Sequence, residues 1–207
     1  MLSMTLGFAF VATLLLLLLG LPLAYWLNTT RFRGIGFLEA LVALPAVLPS
    51  TVLGFYLFVL WRQGLGLPAS FFGLSLGAAI FSLPFAVRPF QAALRAASPE
   101  VLAAARLDAS PWQVFSLVQL PVALPGIAAG AALAFARSLG VFGVVVMFGV
   151  ESKPIPNLVA SVALVDAVAH GDYAQAHALA AVLMIISFGV IWAVTHWQHR
   201  ARLTATI

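Results

Sequence analysis

Few side chains in this chain could do chemistry. Its 207 residues carry six carboxylates, ten lysines and arginines, four histidines and no cysteine. Without cysteine there is no thiolate nucleophile, no disulfide and no sulfur ligand for a metal. His170 and Asp172 have a spacing also seen at metal sites, but no third ligand is close in sequence, and Gly171 between them reads as a turn. No metal site is expected. The chain has no G-x-x-x-x-G-K-[ST] phosphate loop, so it is not expected to hydrolyse ATP itself or to carry a cofactor. Arg137 is the one charge deep within a long apolar run. It lies roughly 16 residues, or about 24 Å at 1.5 Å per residue, along a helix beginning near Leu120. A charge at mid-bilayer costs about 2.5–3.5 kcal/mol on insertion scales, so such arginines face a bundle interior or water. The plainer reading is a side chain snorkelling to the headgroups. An intramembrane enzyme needs polar groups paired at depth, and apart from Arg137 the spans are nearly bare. No catalytic residue is expected.

The elements that position these residues follow from composition. The chain is 63% hydrophobic and 8% charged, with a mean hydropathy of +1.11. A soluble domain carries roughly 25% charged residues, so the solvent here is a bilayer. The net charge of +4 and pI near 10.4 do not indicate nucleic acid, because the basic residues are scattered and form no basic face.

Five spans are expected, each about 20 residues or more. The first covers Thr5–Leu27; basic residues follow this run rather than precede it, which argues against a cleaved signal peptide. The second, Leu38–Trp61, holds Pro45 and Pro49 and should be kinked or broken; a gating bend and a static kink are equally open. The third is Ser70–Phe90, the fourth Leu120–Phe148 and the fifth Ala176–Trp197. Asn157–Val168 could add a sixth, half-embedded helix. Gly126-x-x-x-Gly130 permits close helix approach, with packing inside the chain favoured over a dimer seam.

Charge bias orients the bundle. Arg31, Arg33, Arg88, Arg95, Arg106, Arg200 and Arg202 fall on one side if the N-terminus is outside and the C-terminus cytoplasmic. Only Arg62 and Lys153 remain in the outer loops. The polar stretch "VESKPIPNL" (150–158), with Asp166, His170 and Asp172, is then external, and "HWQHRAR" is an interfacial anchor at the cytoplasmic end.

Residues 94–126 are too polar to cross. Ser98-Pro99-Glu100 reads as a helix start, with a capping serine, proline at the first position and an acid favourable to the dipole. The helix "PEVLAAAR" has a small-surfaced alanine side, "DASP" breaks it, Ser110-Pro111 starts a second short helix and Pro121 marks entry to the next span. This helix pair either lies on the headgroups or docks a soluble partner.

The stretch resembles the cytoplasmic "EAA" loop of binding-protein-dependent ABC importer permeases. More narrowly, "ASPWQVFSLVQLPVALPGIAAGAALAFARSLGVFG" (109–143), "ALPAVLPSTVLGFYL" (43–57) and "FSLPFAVRPFQAAL" (81–94) look like the molybdate/tungstate permeases, with sulfate permeases as close relatives. The resemblance implies an all-α, polytopic transmembrane bundle forming one domain over 1–207, with a cytoplasmic coupling loop at 98–120 between spans three and four. It implies a homodimer with the path along its interface, embedded in the lipids of a bacterial or archaeal cell (inner) membrane. Two cytoplasmic ATPase subunits would bind the ATP, and an extracytoplasmic binding protein would deliver an oxyanion. Sulfate or another substrate is the alternative, as is an uncoupled channel or scaffold.

Carried over residue by residue, ATPase coupling falls on Glu100, Ala103, Ala104, Ala105, Arg106, Asp108 and Ala109. The path or its gate falls on Pro45, Pro49, Arg137, Ser138, Gly140 and Gly143. Three departures stand out. Ala103-Ala104-Ala105 replaces the acidic triplet, Asp108 stands where the family has glycine, with one residue fewer between, and Val141 replaces the glutamate of "SLGEFG".

Overall fold

The computed structural model describes residues 1–67, 70–149 and 159–204. The whole polar stretch 150–158, Lys153 included, lies outside the described residues, as do the side chains of Arg200 and Arg202. Every regular element described is helical: α1 Leu2–Thr29, α2 Ile35–Val47, α3 Ser50–Gly64, α4 Phe71–Leu94, α5 Pro99–Asp108, α6 Pro111–Leu139, α7 Gly143–Gly149, α8 Ala160–Ala169 and α9 Tyr173–Thr204. Four of these, α1, α4, α6 and α9, are long and apolar enough to cross a bilayer. In place of the fifth expected span stands the pair α2 and α3, bent by 112°, the shape of a broken span or of a re-entrant loop.

The bend has a local cause. A residue before proline is pushed out of the helical region, and Leu48, preceding Pro49, is extended at φ −68°, ψ 138°. Pro49 continues extended at ψ 135° before α3 begins. Pro45 is instead held inside α2, buried and helical. Elsewhere the chain absorbs its prolines. A π-turn, one residue wider than the α-helix, covers Leu16–Gly20 just before Pro22, and another covers Phe115–Gln119 just before Pro121. A proline cannot donate to the carbonyl four residues back; widening the turn shifts the bonding by one residue, as in Leu120 N to Phe115 O. Hence Pro121 does not begin a span: α6 runs unbroken from Pro111, whereas a separate short helix from Ser110-Pro111 was expected. That span also ends earlier than Phe148, because α6 stops at Leu139 and α7 restarts at Gly143. The half-embedded helix near 157–168 corresponds to α8, whose ten residues reach about 15 Å and cannot cross.

The core lies where α1, α4 and α6 meet, around Phe8, Ala12, Leu16, Val87, Phe90, Leu94, Ala123, Ile127 and Ala134. Small residues allow this approach. A Cβ on Gly126 would lie 2.5 Å from Ala93 Cβ, and one on Gly130 would lie 2.9 Å from the Phe90 ring. Gly126 and Gly130 therefore pack within the chain. Side-chain amides fasten the helices where apolar contact alone is weak: Gln119 donates to the Leu94 carbonyl (2.9 Å), Asn28 to Gln91 (3.0 Å) and Gln198 to Pro125 (2.6 Å). Buried Thr5 accepts from Ala160 N at 2.9 Å and so ties the start of α8 to α1.

Candidate functional site

The residues expected along a path separate into two settings. On α6, Arg137 is exposed, with Cζ 4.5 Å from the Phe81 ring centroid and 5.0 Å from that of Phe85. The two rings sit four residues apart on α4 and so share a face. Such a cation–π contact contributes about 0.5–1 kcal/mol at an exposed site, which offsets part of the cost of holding a guanidinium there. No carboxylate among the described residues is within ion-pair distance of Arg137; Asp166 lies instead 3.4 Å from His170 Nδ1. Asp172 accepts from Gln175 N (3.0 Å) at the start of α9, and Gly171, at φ +77°, makes the turn.

Ser138, beside Arg137, is fully buried. Its hydroxyl donates to the Ala134 carbonyl (2.9 Å), which leaves Ser82 to donate to it across the α4–α6 seam (2.9 Å). Gly143 is buried as well. A Cβ there would stand 2.5 Å from Thr51 N, and one on Gly54 would stand 2.8 Å from Val144 Cα. The backbones of α3 and α7 thus touch, and Gly143 meets the residues just after Pro49. Gly140 is exposed and ends α6, with nothing closer than 3.8 Å to a hypothetical Cβ. The structure therefore sets Gly143 against Ser50 and Thr51, next in sequence to Pro49, leaves Arg137 and Gly140 exposed, and buries Pro45 and Ser138.

The helix α5 is built differently. The Ser98 hydroxyl accepts from Val101 N (3.2 Å), Glu100 lies in the first turn and Arg106 in the last, both favourable to the dipole. Ser110 and Gln113 cap α6 reciprocally. No residue of α5 is buried. Leu102, Ala105 and Ala109 are half-covered, whereas Glu100, Ala103, Ala104, Arg106 and Asp108 are exposed. Reading the sequence missed Val101 and Leu107, which are 53% and 84% exposed. With Ala104 they fall at i, i+3 and i+6, neighbouring positions on a helix; that apolar spacing, in a segment too polar to cross, was the available signal. Also missed were Asn28, Gln91 and Gln119, whose amides carry no sequence mark of a distant partner.

A bundle of long apolar helices, with one broken pair and a short exposed helix between α4 and α6, defines a polytopic membrane protein of the transporter type. The profile of the binding-protein-dependent transport system inner membrane component family matches residues 17–202, and the chain belongs to that family. It is 43% identical over 203 residues to the molybdenum transport system permease protein ModB of Azotobacter vinelandii, covering 92% of this chain and 89% of that protein. It is 34% identical over 210 residues to the sulfate transport system permease protein CysT of Escherichia coli, covering 96% and 76%. Two solved structures share the fold. One is the MetNI methionine ABC transporter in inward-facing conformations (TM-score 0.72, 20% identity, 96% of this chain and 93% of that one). The other is a bacterial alginate ABC transporter in complex with a periplasmic protein bound to alginate pentasaccharide (TM-score 0.74, 17% identity, 96% and 77%). The chain is thus a multi-pass permease subunit with the fold of ABC transporter membrane components.

Proposed function

We propose that this permease passes a tetrahedral oxyanion, molybdate or tungstate, into a bacterial or archaeal cell, driven by ATP bound and hydrolysed on separate cytoplasmic subunits. The observation that carries the coupling half is α5. A helix with no buried residue, presenting Val101, Ala104 and Leu107 together, leaves apolar surface in water unless a partner covers it. The ATPase subunit is that partner, with Glu100, Arg106 and Asp108 as its polar rim and Ala103 and Ala104 permitting close approach. Ala105 and Ala109 support the helix from the bundle side. The charge bias supports a cytoplasmic location for α5, with the N-terminus outside. The absence of a phosphate loop from the sequence supports hydrolysis in another polypeptide.

The substrate rests on the likeness to ModB. An anion also suits Arg137, a cation held on two aromatic faces with no carboxylate beside it among the described residues. A second copy of the chain would complete the path: the most apolar stretch of α9 has none of its residues buried within one chain. An extracytoplasmic binding protein would deliver the oxyanion. The bent α2–α3 pair and the α3–α7 contact, where Ser50 and Thr51 meet Gly143, form the element that moves when α5 is pushed.

The test is uptake into proteoliposomes holding the permease, its ATPase and its binding protein. Radiolabelled molybdate should accumulate only with ATP inside the compartment facing α5, and excess sulfate should compete poorly. Sulfate uptake at equal or greater efficiency would assign the other oxyanion. Equal accumulation without ATP would show an uncoupled channel.

A further inference from the structure

We infer a second anion site, at the end of the bundle opposite α8, that takes a phosphate-type oxyanion. A cavity of about 340 Å³ lies between the end of α1, α2 and the end of α4, lined by Leu27, Glu39, Val42, Arg88, Gln91, Ala92 and Arg95. Its charged groups are two arginines against one carboxylate, an excess of one positive charge. Neither arginine lies within ion-pair distance of Glu39 or any other carboxylate among the described residues.

Glu39, Arg88 and Arg95 are all exposed along this cavity, and two details go beyond a solvated charged surface. Arg95 is held in place: its Nε donates to Asn28 Oδ1 at 2.9 Å, and Asn28 is itself anchored through Nδ2 to the Gln91 carbonyl at 3.0 Å. This bond occupies one donor of a fork with five, leaving the terminal N–H groups for a ligand. The other detail is Gln91 Nε2, which is buried and has no hydrogen-bond partner. A buried donor left unpaired costs about 1–3 kcal/mol; Nε2 exposes under 1 Å² and meets an acceptor once the amide turns about its terminal bond toward the cavity that Gln91 lines. Guanidinium forks and an amide donor around one space match the oxygen-only surface of phosphate and its analogues. Glu39 lowers the affinity by repelling an anion, so the ligand is held reversibly.

Inorganic oxyanions and the phosphate of an anionic lipid share this chemistry, and basic clefts between membrane helices hold lipid headgroups in the same manner. The inference stands on the cavity alone and does not require the transport reading.

Two probes on the full-length protein test it. Binding of radiolabelled orthophosphate is measured in detergent free of anionic lipid, and retention of phosphatidylglycerol is measured by native mass spectrometry after reconstitution. Arg88→Gln and Arg95→Gln should each weaken binding by about tenfold or more, the loss of one charge-assisted contact. Glu39→Gln should strengthen it, a change of opposite sign that misfolding cannot produce. Orthophosphate binding with this pattern supports the site and identifies a free anion; the same pattern with phosphatidylglycerol alone supports it and identifies a lipid headgroup. Binding of neither probe, or equal binding by all variants, overturns the inference.

Discussion

The helices α4 and α9 are both long enough to span a membrane, yet they pack in opposite ways. Of the most apolar eighteen residues of α4, 61% are buried within the chain; of those of α9, none are, although α9 is the more apolar of the two. Burial here does not follow hydropathy. In lipid a leucine gains nothing by leaving the solvent, so helices associate where small residues let backbones approach and where polar groups bond. α4 offers Gly73, Ser75, Gly77, Ala78, Ala79, Ser82 and Ala93 to its neighbours. α9 presents Met184, Ile185 and Phe188 outward. One helix is scaffold, and the other is left uncovered by its own chain.

Substitutions test this contrast between packed and uncovered surfaces. The largest expected effect is at the backbone contact of α3 with α7. Gly143→Leu must displace main chain and should cost about 3 kcal/mol or more, at the upper end of overpacking penalties; loss of the monodisperse peak in size-exclusion chromatography would register it. On α4's own seam, Gly130→Leu clashes with the more yielding Phe90 ring and should cost about 1–3 kcal/mol, seen as a lower thermal unfolding midpoint in detergent. Removing the Ser82–Ser138 bond with Ser82→Ala should cost only about 0.6 kcal/mol, the mean for interhelical hydrogen bonds in membranes. On α9, Phe188→Ala should leave the stability of the single chain within about 0.5 kcal/mol. A destabilisation by Phe188→Ala as large as that by Gly130→Leu would refute the contrast.

Much of this architecture was legible because the bilayer imposes a length and a composition on every span. That the second span would be kinked or broken was legible too, since proline removes a donor and restricts the residue before it. What escaped was whatever depends on contacts distant in sequence. Pro45 and Pro49 look alike along the chain, but only the second breaks the helix. Pro121 reads as a boundary because no local rule says that a π-turn will carry the helix past it. The burial of Gly143 depends on α3 lying against α7. The alanine triplet of α5 was visible, yet the half-covered position of Ala105 and the outward Leu107 follow from how α5 leans on the bundle. Asn28, Gln91 and Arg95 join only when α1 and α4 are side by side.

On the proposed function, the ATPase grips this permease at α5. The most direct test is co-purification of the ATPase with Ala104→Glu, which places a bulky charge on the exposed face without touching the bundle. The variant should insert at normal yield, retain less than about a tenth of the bound ATPase (a loss of roughly 1.4 kcal/mol) and fail to drive uptake. A variant that still holds its ATPase and transports normally would contradict the claim.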